Sequence, residues 1–326
     1  MSLIIFEQQV STAATELVNQ RVQEFNAASG GSLVLGNGDH IGDYIERTSW
    51  QLIGGLAQRR NAYGSGTLTP QELGQILDRM VKIDGRVGPI TVTPTMMKRL
   101  GKDVSEAAAV VAAQAATAMI QDYLNTVGSA LKTAISTNKK AVTDLSGAKN
   151  SPTSPSLRGL NKGTRPFGDA YSRLIAWVMT GAAFNDFTDE SLNNAERLFQ
   201  IGNVTIKQDS MGRRFVISDI PALMDGNLQH ILGLTLGAGA VQTAPLSMKA
   251  QDVLGQENLK ALMQGEYDFT IGIKGYQWAT DKIKSPTNEQ ISTAANWGQI
   301  ATDVKDTAGV IVTFGEKGAV AAASQP

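Results

Sequence analysis

The sequence offers few residues whose type and spacing would support cofactor binding. Gly101-Lys102 resembles the end of a phosphate-binding P-loop, but Asp103 stands where Ser or Thr is required, and the earlier glycine is missing. Gly237 and Gly239 begin like a dinucleotide-binding loop, but a third glycine and a following helix pattern are both missing. Neither stretch fits its motif, so we predict no cofactor.

Residues for nucleophilic, acid-base or metal chemistry are also sparse. The chain has no cysteine, and its two histidines, His40 and His230, have no partner at metal-ligand spacing. His230 lies in an apolar stretch, which favours a packed structural residue over a ligand or base. Neither HExxH nor GxSxG occurs, and no pair of carboxylates stands out for acid-base work. The sequence therefore disfavours an enzyme and predicts no catalytic residue and no metal site.

Arginine is concentrated in the first third of the chain. The residues are Arg47, Arg59, Arg60, Arg79, Arg86 and Arg99. One interpretation is a solvated face. The other is a projecting loop whose guanidinium groups make charge contacts with another subunit, because arginine binds carboxylates through paired hydrogen bonds. The sequence leaves both interpretations open.

A second basic stretch, residues 138–166, has six basic residues against one acid and is rich in Ser, Pro and Gly. This composition predicts an exposed connection. Contact with phosphate groups is an alternative, but no aromatic residues interleave with the charges to stack on bases.

The element that must position these side chains is one long helix, predicted over residues 102–137. Asp103 and Glu106 have the spacing of a capping box, and about 33 residues would span roughly 50 Å. Apolar residues recur every fourth position, a period that drifts around a helix of 3.6 residues per turn. Different elements are therefore expected to cover its two ends. The stripe consists of Val111, Ala115, Met119, Tyr123, Val127, Leu131 and Ile135.

Residues 5–26 predict a second amphipathic helix, which ends at the linker Ser29-Gly30-Gly31. This arm could pack on the core of its own chain or on a neighbouring subunit, and the sequence does not separate the two.

The remaining patterns predict a mixture of helices and strands. Short helices are expected at 70–80, 169–179 and 189–199. Strands are expected at 81–83 and 90–92 with a turn at Asp84-Gly85, at 204–206 and 213–218 as a hairpin, at 232–241 as strand or tight turn, and at 267–274 and 309–314.

Length and composition exclude some classes of protein. The 326 residues suggest two or three domains, and a formal charge of −1 implies neither a polyanion-binding nor a strongly acidic protein. The N-terminal sequence lacks the pattern of a signal peptide, and no apolar run is long enough for a membrane span.

The order of these features resembles a tailed-phage major capsid protein of the Hong Kong 97 (HK97-like) fold, of the podovirus type. The order is helical arm, Arg-rich loop, long helix, mixed lobe and returning strands. The stretches that carry the resemblance are 90–94, 177–187 and 212–221, the last similar to a capsid hairpin, with 275–278, 296–297 and 309–312 similar to the final peripheral strands.

The resemblance implies an α+β subunit with an axial and a peripheral domain, an extended loop and an N-terminal arm. The implied segments are 1–41 (arm), 42–92 (loop), 93–150 (peripheral domain with the long spine helix), 151–264 (axial domain) and 265–326 (return to the peripheral domain and tail). The residues then expected at subunit interfaces are Phe6, Val10, Arg47, Arg59, Arg60, Arg79, Lys82 and Arg86.

The function implied by the resemblance is an icosahedral virion shell around double-stranded DNA, built from hexamers and pentamers of this chain in the host cytoplasm. The implied partners are a separate scaffolding protein, a portal protein, possible decoration proteins and weakly contacted DNA, with no membrane. We expect no maturation cleavage, because the arm is short, and we predict no cross-link, although Lys82 lies in the loop. The alternatives are an encapsulin-like cellular compartment and an α+β enzyme with an unrecognised site.

Overall fold

The structure is a computed structural model that describes most of the chain. The described residues are 3–38, 41–50, 59–67, 70, 74–93, 104–146, 154–190, 196–201, 204–208, 212–255 and 260–315. Within them the α-helices are α1 (Leu3–Ser29), α2 (Val104–Ser136), α3 (Leu157–Gly163), α4 (Gly181–Glu190) and α5 (Asn288–Ile291).

The long helix predicted from the sequence is confirmed as α2, which we call the spine helix. Its predicted apolar stripe is buried from Ala115 to Ile135, while Val111 is half-buried. Elements from different parts of the chain cover it, as expected from the drifting stripe. The Tyr123 ring lies 4.8 Å from that of Phe269, whereas Gly128 packs against Ile220. The predicted capping residue Asp103 lies outside the described residues.

The first of two sheets contains the strands β1 (Leu33–Asn37), β2 (Tyr44–Trp50), β3 (Gln75–Val92), β11 (Gly239–Thr243), β12 (Ser247–Val253), β13 (Lys260–Ile273), β14 (Tyr276–Trp278) and β15 (Trp297–Gln299). The long strand β13 is its centre. It pairs with β3 along one edge and with β11 and β12 along the other, while β2 extends the sheet beyond β3. The predicted alternation at 267–274 is confirmed by this strand.

The second sheet contains β4 (Val142–Asp144), β5 (Leu174–Met179), β6 (Glu196–Ile201), β7 (Val204–Gln208), β8 (Arg214–Ile217), β9 (Met224–Asp225), β10 (Leu228–Thr235) and β16 (Gly309–Phe314). The predicted hairpin is confirmed, because β7 and β8 pair antiparallel. The chain passes from the second sheet to the first between β10 and β11, and it returns with β16. The sequence grouped β16 with β14 and β15 as final peripheral strands. In the structure β14 and β15 lie in the first sheet, whereas β16 lies in the second.

Three predicted helices are wrong. Residues 75–80 are the start of β3, because they pair with β2 along its whole length. The segment 169–179 contains a 3₁₀ turn that ends at Arg173, followed by β5, whose apolar residues are held between β10 and β8. In the segment 189–199, residues 189–190 are the end of α4, and residues 196–199 belong to β6, which pairs with β7. In each case strand pairing with distant residues determines the conformation.

The turn expected at Asp84-Gly85 is also wrong, since β3 runs through it without interruption. A Cβ on Gly85 would come within 2.3 Å of the Tyr267 ring. Gly85 therefore allows an aromatic ring to approach the backbone closely. Close approach of this kind is one reason for a glycine inside a strand. Irregularity appears later, at Gly88, where a φ of +92° accompanies a shift of register against β13.

The expected exposed connection at 138–166 is wrong for its described parts. Strand β4 pairs with β16, and Ala141 and Leu160 are fully buried. The described parts of this segment include β4 and α3. Basic residues such as Lys140 and Arg158 therefore lie in or next to regular secondary structure instead of in a loose connection. None of the described helices is long and apolar enough to cross a membrane.

Candidate assembly interface

The hairpin of β2 and β3 projects from the first sheet. Its register runs from Tyr44 opposite Val81 to Trp50 opposite Gln75, whereas β3 pairs with β13 only from Val81 onwards. In the described structure the first six residues of β3 therefore pair with β2 alone, although β14 also contacts β3. This is the geometry expected of the predicted projecting loop.

Arg79 stabilises the hairpin within its own chain. Its Nε and Nη2 atoms each lie 2.8 Å from Oε1 of Glu46, which is directly opposite on β2. Its guanidinium carbon lies 5.3 Å from the centre of the Tyr44 ring, a cation–π distance. The Glu46 side chain is 47% exposed and that of Arg79 is 21% exposed. Because water screens such a pair, we assign it a modest contribution of up to about 1 kcal/mol to stability.

The base of the hairpin is fastened to the segment that follows β14. Tyr44 donates a hydrogen bond of 2.7 Å to the carbonyl oxygen of Ile283. Lys284 Nζ lies 2.8 Å from Asp43 Oδ2, and this hydrogen bond raises the pKa of Lys284. Lys82 forms an ion pair with Asp268 of β13. Lys82 and Arg79 are thus already engaged inside the subunit.

The other predicted interface arginines are exposed. Arg47 stands opposite Asp78 on the hairpin, and burial raises the pKa of Asp78 while the charge of Arg47 acts against this rise. Arg86 stands opposite Glu266 on β13. Arg59 and Arg60 lie in the irregular segment between the two strands of the hairpin. These residues are available to a partner, and their role at an interface stays a prediction.

The N-terminal helix packs on its own chain. Val10 is fully buried, as is Phe25 near the helix end, and α1 contacts the spine helix and β12. The sequence left open whether the arm packs on its own chain or on a neighbouring subunit. In the described structure it packs on its own chain. Val10 is therefore inside the subunit core instead of on a surface for a neighbour. The side chain of Phe6 lies outside the described part.

Sequence reasoning missed how α1 covers the outer edge of β12. Glu7 accepts a hydrogen bond of 2.8 Å from the backbone N–H of Ala250, and Ser11 donates one to the carbonyl oxygen of Leu246. Lys249 Nζ lies 3.6 Å from Glu7. The two side chains satisfy backbone groups that a further strand would otherwise use. The available signal was their spacing of four residues, which places both on one helix face.

A largely buried polar cluster links the spine helix to β13. Tyr267 of β13 donates a hydrogen bond of 2.8 Å to Asp122 Oδ2. Burial raises the pKa of Asp122, and the hydrogen bond from Tyr267 partly opposes this effect. The rings of Tyr123 and Tyr267 meet edge to face at 5.9 Å. The cluster joins the first sheet to the spine helix. The sequence did not predict the contact between Tyr267 and Asp122.

The residues considered for catalysis are placed as structural parts. His230 lies on β10 with Nδ1 3.0 Å from Thr313 Oγ1 of β16, and burial lowers the pKa of its ring. Gly237, with a φ of +66°, forms the turn between β10 and β11, and Gly239 begins a strand where a dinucleotide loop would begin a helix. His40 lies outside the described residues. Across the described ranges no three His, Cys, Asp or Glu side chains are grouped to hold a metal ion.

Solved structures with the same architecture define the class of protein. A structure from Mycobacterium phage Bobi matches with a TM-score of 0.52 at 12% identity, covering 93% of this chain and 90% of that one. Structures from Mycobacterium phage Adephagia (0.50, 10% identity, 86% and 88%) and Microbacterium phage Oxtober96 (0.50, 9%, 89% and 90%) match similarly. The subunit has the HK97-like fold of phage capsids, so the expected fold class is confirmed.

The family follows from the sequence itself. Residues 2–311 match the family described as Major capsid protein 13-like, and the chain belongs to that family. Its role is that of a major capsid protein, a structural component of the virion. The expected role of a major capsid protein is confirmed, and the encapsulin-like alternative is not favoured. No protein of curated function matches the sequence.

Proposed function

We propose that copies of this chain form hexamers and pentamers that close into an icosahedral shell around double-stranded DNA. The observation that carries the proposal is the hairpin of β2 and β3, which extends beyond its own sheet and bears exposed arginines at 47, 59 and 60. A protrusion of this kind suits heterologous contacts, in which one surface of each copy meets a different surface of the next. Rotational symmetry then closes the ring.

We assign the first sheet, with the spine helix, to the peripheral domain and the second sheet to the axial domain. The support is the connectivity, because the chain leaves the first sheet after β3, builds most of the second and comes back at β11. In this assignment the axial segment ends between 235 and 239, earlier than the residue 264 expected from the sequence, and β16 is part of the axial sheet.

The proposed partners follow from the role of a container. We assign assembly to the host cytoplasm with a separate scaffolding protein, a portal protein at one vertex and possible decoration proteins on the outside. The formal charge of −1 suits a wall that holds DNA without binding it tightly. Basic residues between 139 and 165 would supply weak phosphate contacts. We propose no enzymatic activity.

Electron microscopy of the purified full-length chain, produced with and without its scaffolding protein, tests the proposal. We expect closed shells of uniform size in at least one preparation, with six-fold and five-fold clusters of subunits. A chain that stays monomeric in both preparations at high concentration would contradict it.

A further inference from the structure

Residues 281–286, a short irregular segment after β14, hold the base of the β2–β3 hairpin, and we call them the latch. The Tyr44 hydroxyl donates a hydrogen bond of 2.7 Å to the carbonyl oxygen of Ile283 and lies 3.2 Å from that of Asp281. Lys284 Nζ lies 2.8 Å from Asp43 Oδ2. The start of β2 is thus joined to a segment far along the chain.

The latch holds the side of the hairpin that the first sheet does not hold. β3 continues from the hairpin into the sheet, where it pairs with β13 from Val81 onwards. Among the described strands β2 pairs with β3 alone, and its first residue, Tyr44, stands opposite Val81. A change in the direction of the hairpin at its base would therefore move Tyr44 relative to the latch, and the contacts with the latch resist this movement.

The far end of the latch is anchored in the core. Pro286 is buried, and Ile291 of α5 is fully buried close behind it. The ring N–H of Trp297 donates a hydrogen bond of 2.8 Å to the carbonyl oxygen of Ile291. Thr287 and Gln290 form a capping box at the start of α5, and α5 contacts the spine helix. The hairpin base is thereby linked, through the latch, to the spine helix.

Ser285, inside the latch, has a backbone conformation that costs free energy. Its φ is +47°, and no other non-glycine residue in the described ranges has a positive φ. A side chain disfavours this region, and the proline that follows restricts Ser285 further. Ser285 is exposed, so burial of its side chain does not compensate for the strain. Strained residues of this kind cluster at clamps and switch segments.

We propose that the latch is a two-state element that sets the direction of the β2–β3 hairpin. Closed, as in the structure, it fixes the hairpin relative to the first sheet. Open, it relaxes Ser285 and lets the hairpin pivot at its base. The side chains of Lys284 and Asp43 are 67% and 48% exposed, and ion pairs as exposed as this one contribute little to stability. Weak closing contacts and a strained backbone oppose each other, which keeps both states accessible.

This inference rests on the proposed shell and adds a means of control to it. Identical chains in rings of five and of six meet their neighbours at different angles. A hairpin with two directions would supply different angles while the two sheets and the spine helix stay unchanged. The latch would then help to determine the curvature of the shell.

Hydrogen–deuterium exchange of the unassembled full-length subunit tests the latch directly. Tyr44→Phe with Lys284→Ala, the released variant, should speed the exchange of the β2 amides about fivefold or more, because it weakens the closed state. The amides of β13 should keep their rates. Lys282→Ala is the matched control, since Lys282 is exposed in the same segment, and it should leave the β2 rates unchanged. Equal β2 rates in the released variant and the control overturn the inference.

Substitutions of Ser285 distinguish a strained latch from an ordinary contact. Ser285→Gly should slow the exchange of the β2 amides about twofold or more, because glycine accepts a positive φ without strain. Ser285→Val should speed it, since a β-branched residue fits this φ poorly. Ser292→Gly is the control, because the φ of Ser292 is −80°, and it should not slow the exchange. Unchanged or faster exchange in Ser285→Gly contradicts a strained latch.

Electron microscopy of assembled shells tests the effect on curvature. The released variant should give a broader range of shell diameters than the unmodified chain, whereas Lys282→Ala should not. Asp43→Lys and Lys284→Asp should each broaden the range, and their combination should restore uniform shells because the charges are again complementary. Uniform shells of unchanged diameter from the released variant overturn the role of the latch in assembly. Failure of the unmodified chain to form shells would instead contradict the proposed function.

Discussion

Tyr267 lies on β13 and contacts both β3 and the spine helix. Its hydroxyl reaches Asp122 of the spine helix, while its ring lies against the backbone of Gly85 on β3. The base of the projecting hairpin is thereby held against the spine helix. Nothing in the sequence near Tyr267 signals this role beyond the alternation of a strand.

Removal of the Tyr267 hydroxyl should destabilise the subunit. In Tyr267→Phe the half-buried Asp122 carboxylate loses its hydrogen-bond donor, and we expect the free energy of unfolding to fall by about 1–3 kcal/mol. Urea unfolding of the full-length chain measures this. Tyr171→Phe is the control, since Tyr171 is 62% exposed and its substitution should cost little. Equal stability of the two variants would show that the hydrogen bond from Tyr267 to Asp122 does not contribute to the stability of the subunit.

Asp122 should also make stability depend on pH. Burial raises the pKa of Asp122, so the folded chain holds this proton more readily than the unfolded chain, whose Asp has a pKa of about 4. The contribution of Asp122 to the free energy of unfolding is then present in acid and is lost as pH rises from about 4 through the raised value. Asp122→Asn lacks this loss.

The measurement is a series of urea unfolding curves for the full-length chain and Asp122→Asn from acid to neutral pH. The stability of Asp122→Asn relative to the unmodified chain should rise with pH across this range. Two curves that stay parallel would show that the pKa of Asp122 is the same in the folded and unfolded states.

At the scale of elements, the contact between the spine helix and the segment after β8 depends on a glycine. A Cβ on Gly128 would lie 2.3 Å from Cδ1 of Ile220. Alanine at this position would favour the helix by up to about 1 kcal/mol, but the clash opposes this gain. The sequence showed Gly128 only as an interruption of an alanine-rich helix.

A double-mutant cycle at this contact should show strong coupling. Gly128→Ala alone should lower stability by about 1–3 kcal/mol, whereas Ile220→Val, which removes Cδ1, should cost about 0.5–1.5 kcal/mol. The double variant should be more stable than the sum of the two effects predicts, because the clashing methyl is gone. Thermal and urea unfolding of the four proteins gives the coupling energy. Simple additivity would mean that the helix shifts to avoid Ile220.

The elements that the sequence predicted well are those with a long or regular pattern. The spine helix has more than thirty residues without proline, and β13 alternates between apolar and polar residues, so local pattern and final structure agree. The strand β5, with the sequence LIAWVM, is apolar throughout because both of its faces are buried from Ala176 to Met179. A short apolar run of this kind fits a helix equally well.

The candidate interface was predictable in part. The cluster of arginines indicated a projecting loop, but the chain position of an arginine does not show whether it faces inward. Arg79 and Lys82 have acidic partners in Glu46 and Asp268, one of them nearly 190 residues away, while Arg59 has none among the described residues. Such pairings depend on strand register, which a single sequence does not specify.

At the scale of the whole molecule, the arm and the segment 59–66 between β2 and β3 should have separable roles. Deletion of residues 1–29 removes Val10 and Phe25 from the core and uncovers the spine helix, so we expect loss of soluble folded subunit. Replacement of residues 59–66 by a Gly-Ser linker of equal length should leave a folded subunit that does not form shells.

Circular dichroism and sedimentation velocity distinguish these outcomes, with electron microscopy as the test for shells. A soluble, fully folded chain after deletion of the arm would contradict the role of α1 in the core. Normal shells after replacement of residues 59–66 would contradict a role of this segment between subunits.

Glu7 accepts a hydrogen bond from Ala250 of β12, and Ser11 donates one to Leu246, directly before β12. These two bonds have a consequence for the interval before a shell closes. A virion requires many identical copies, so free subunits accumulate to high concentration during infection. An open strand edge repeated on every one of them would invite uncontrolled sheet-to-sheet growth into fibres. By closing that edge with its own first helix, each newly made subunit avoids this form of aggregation while it waits for the correct neighbours.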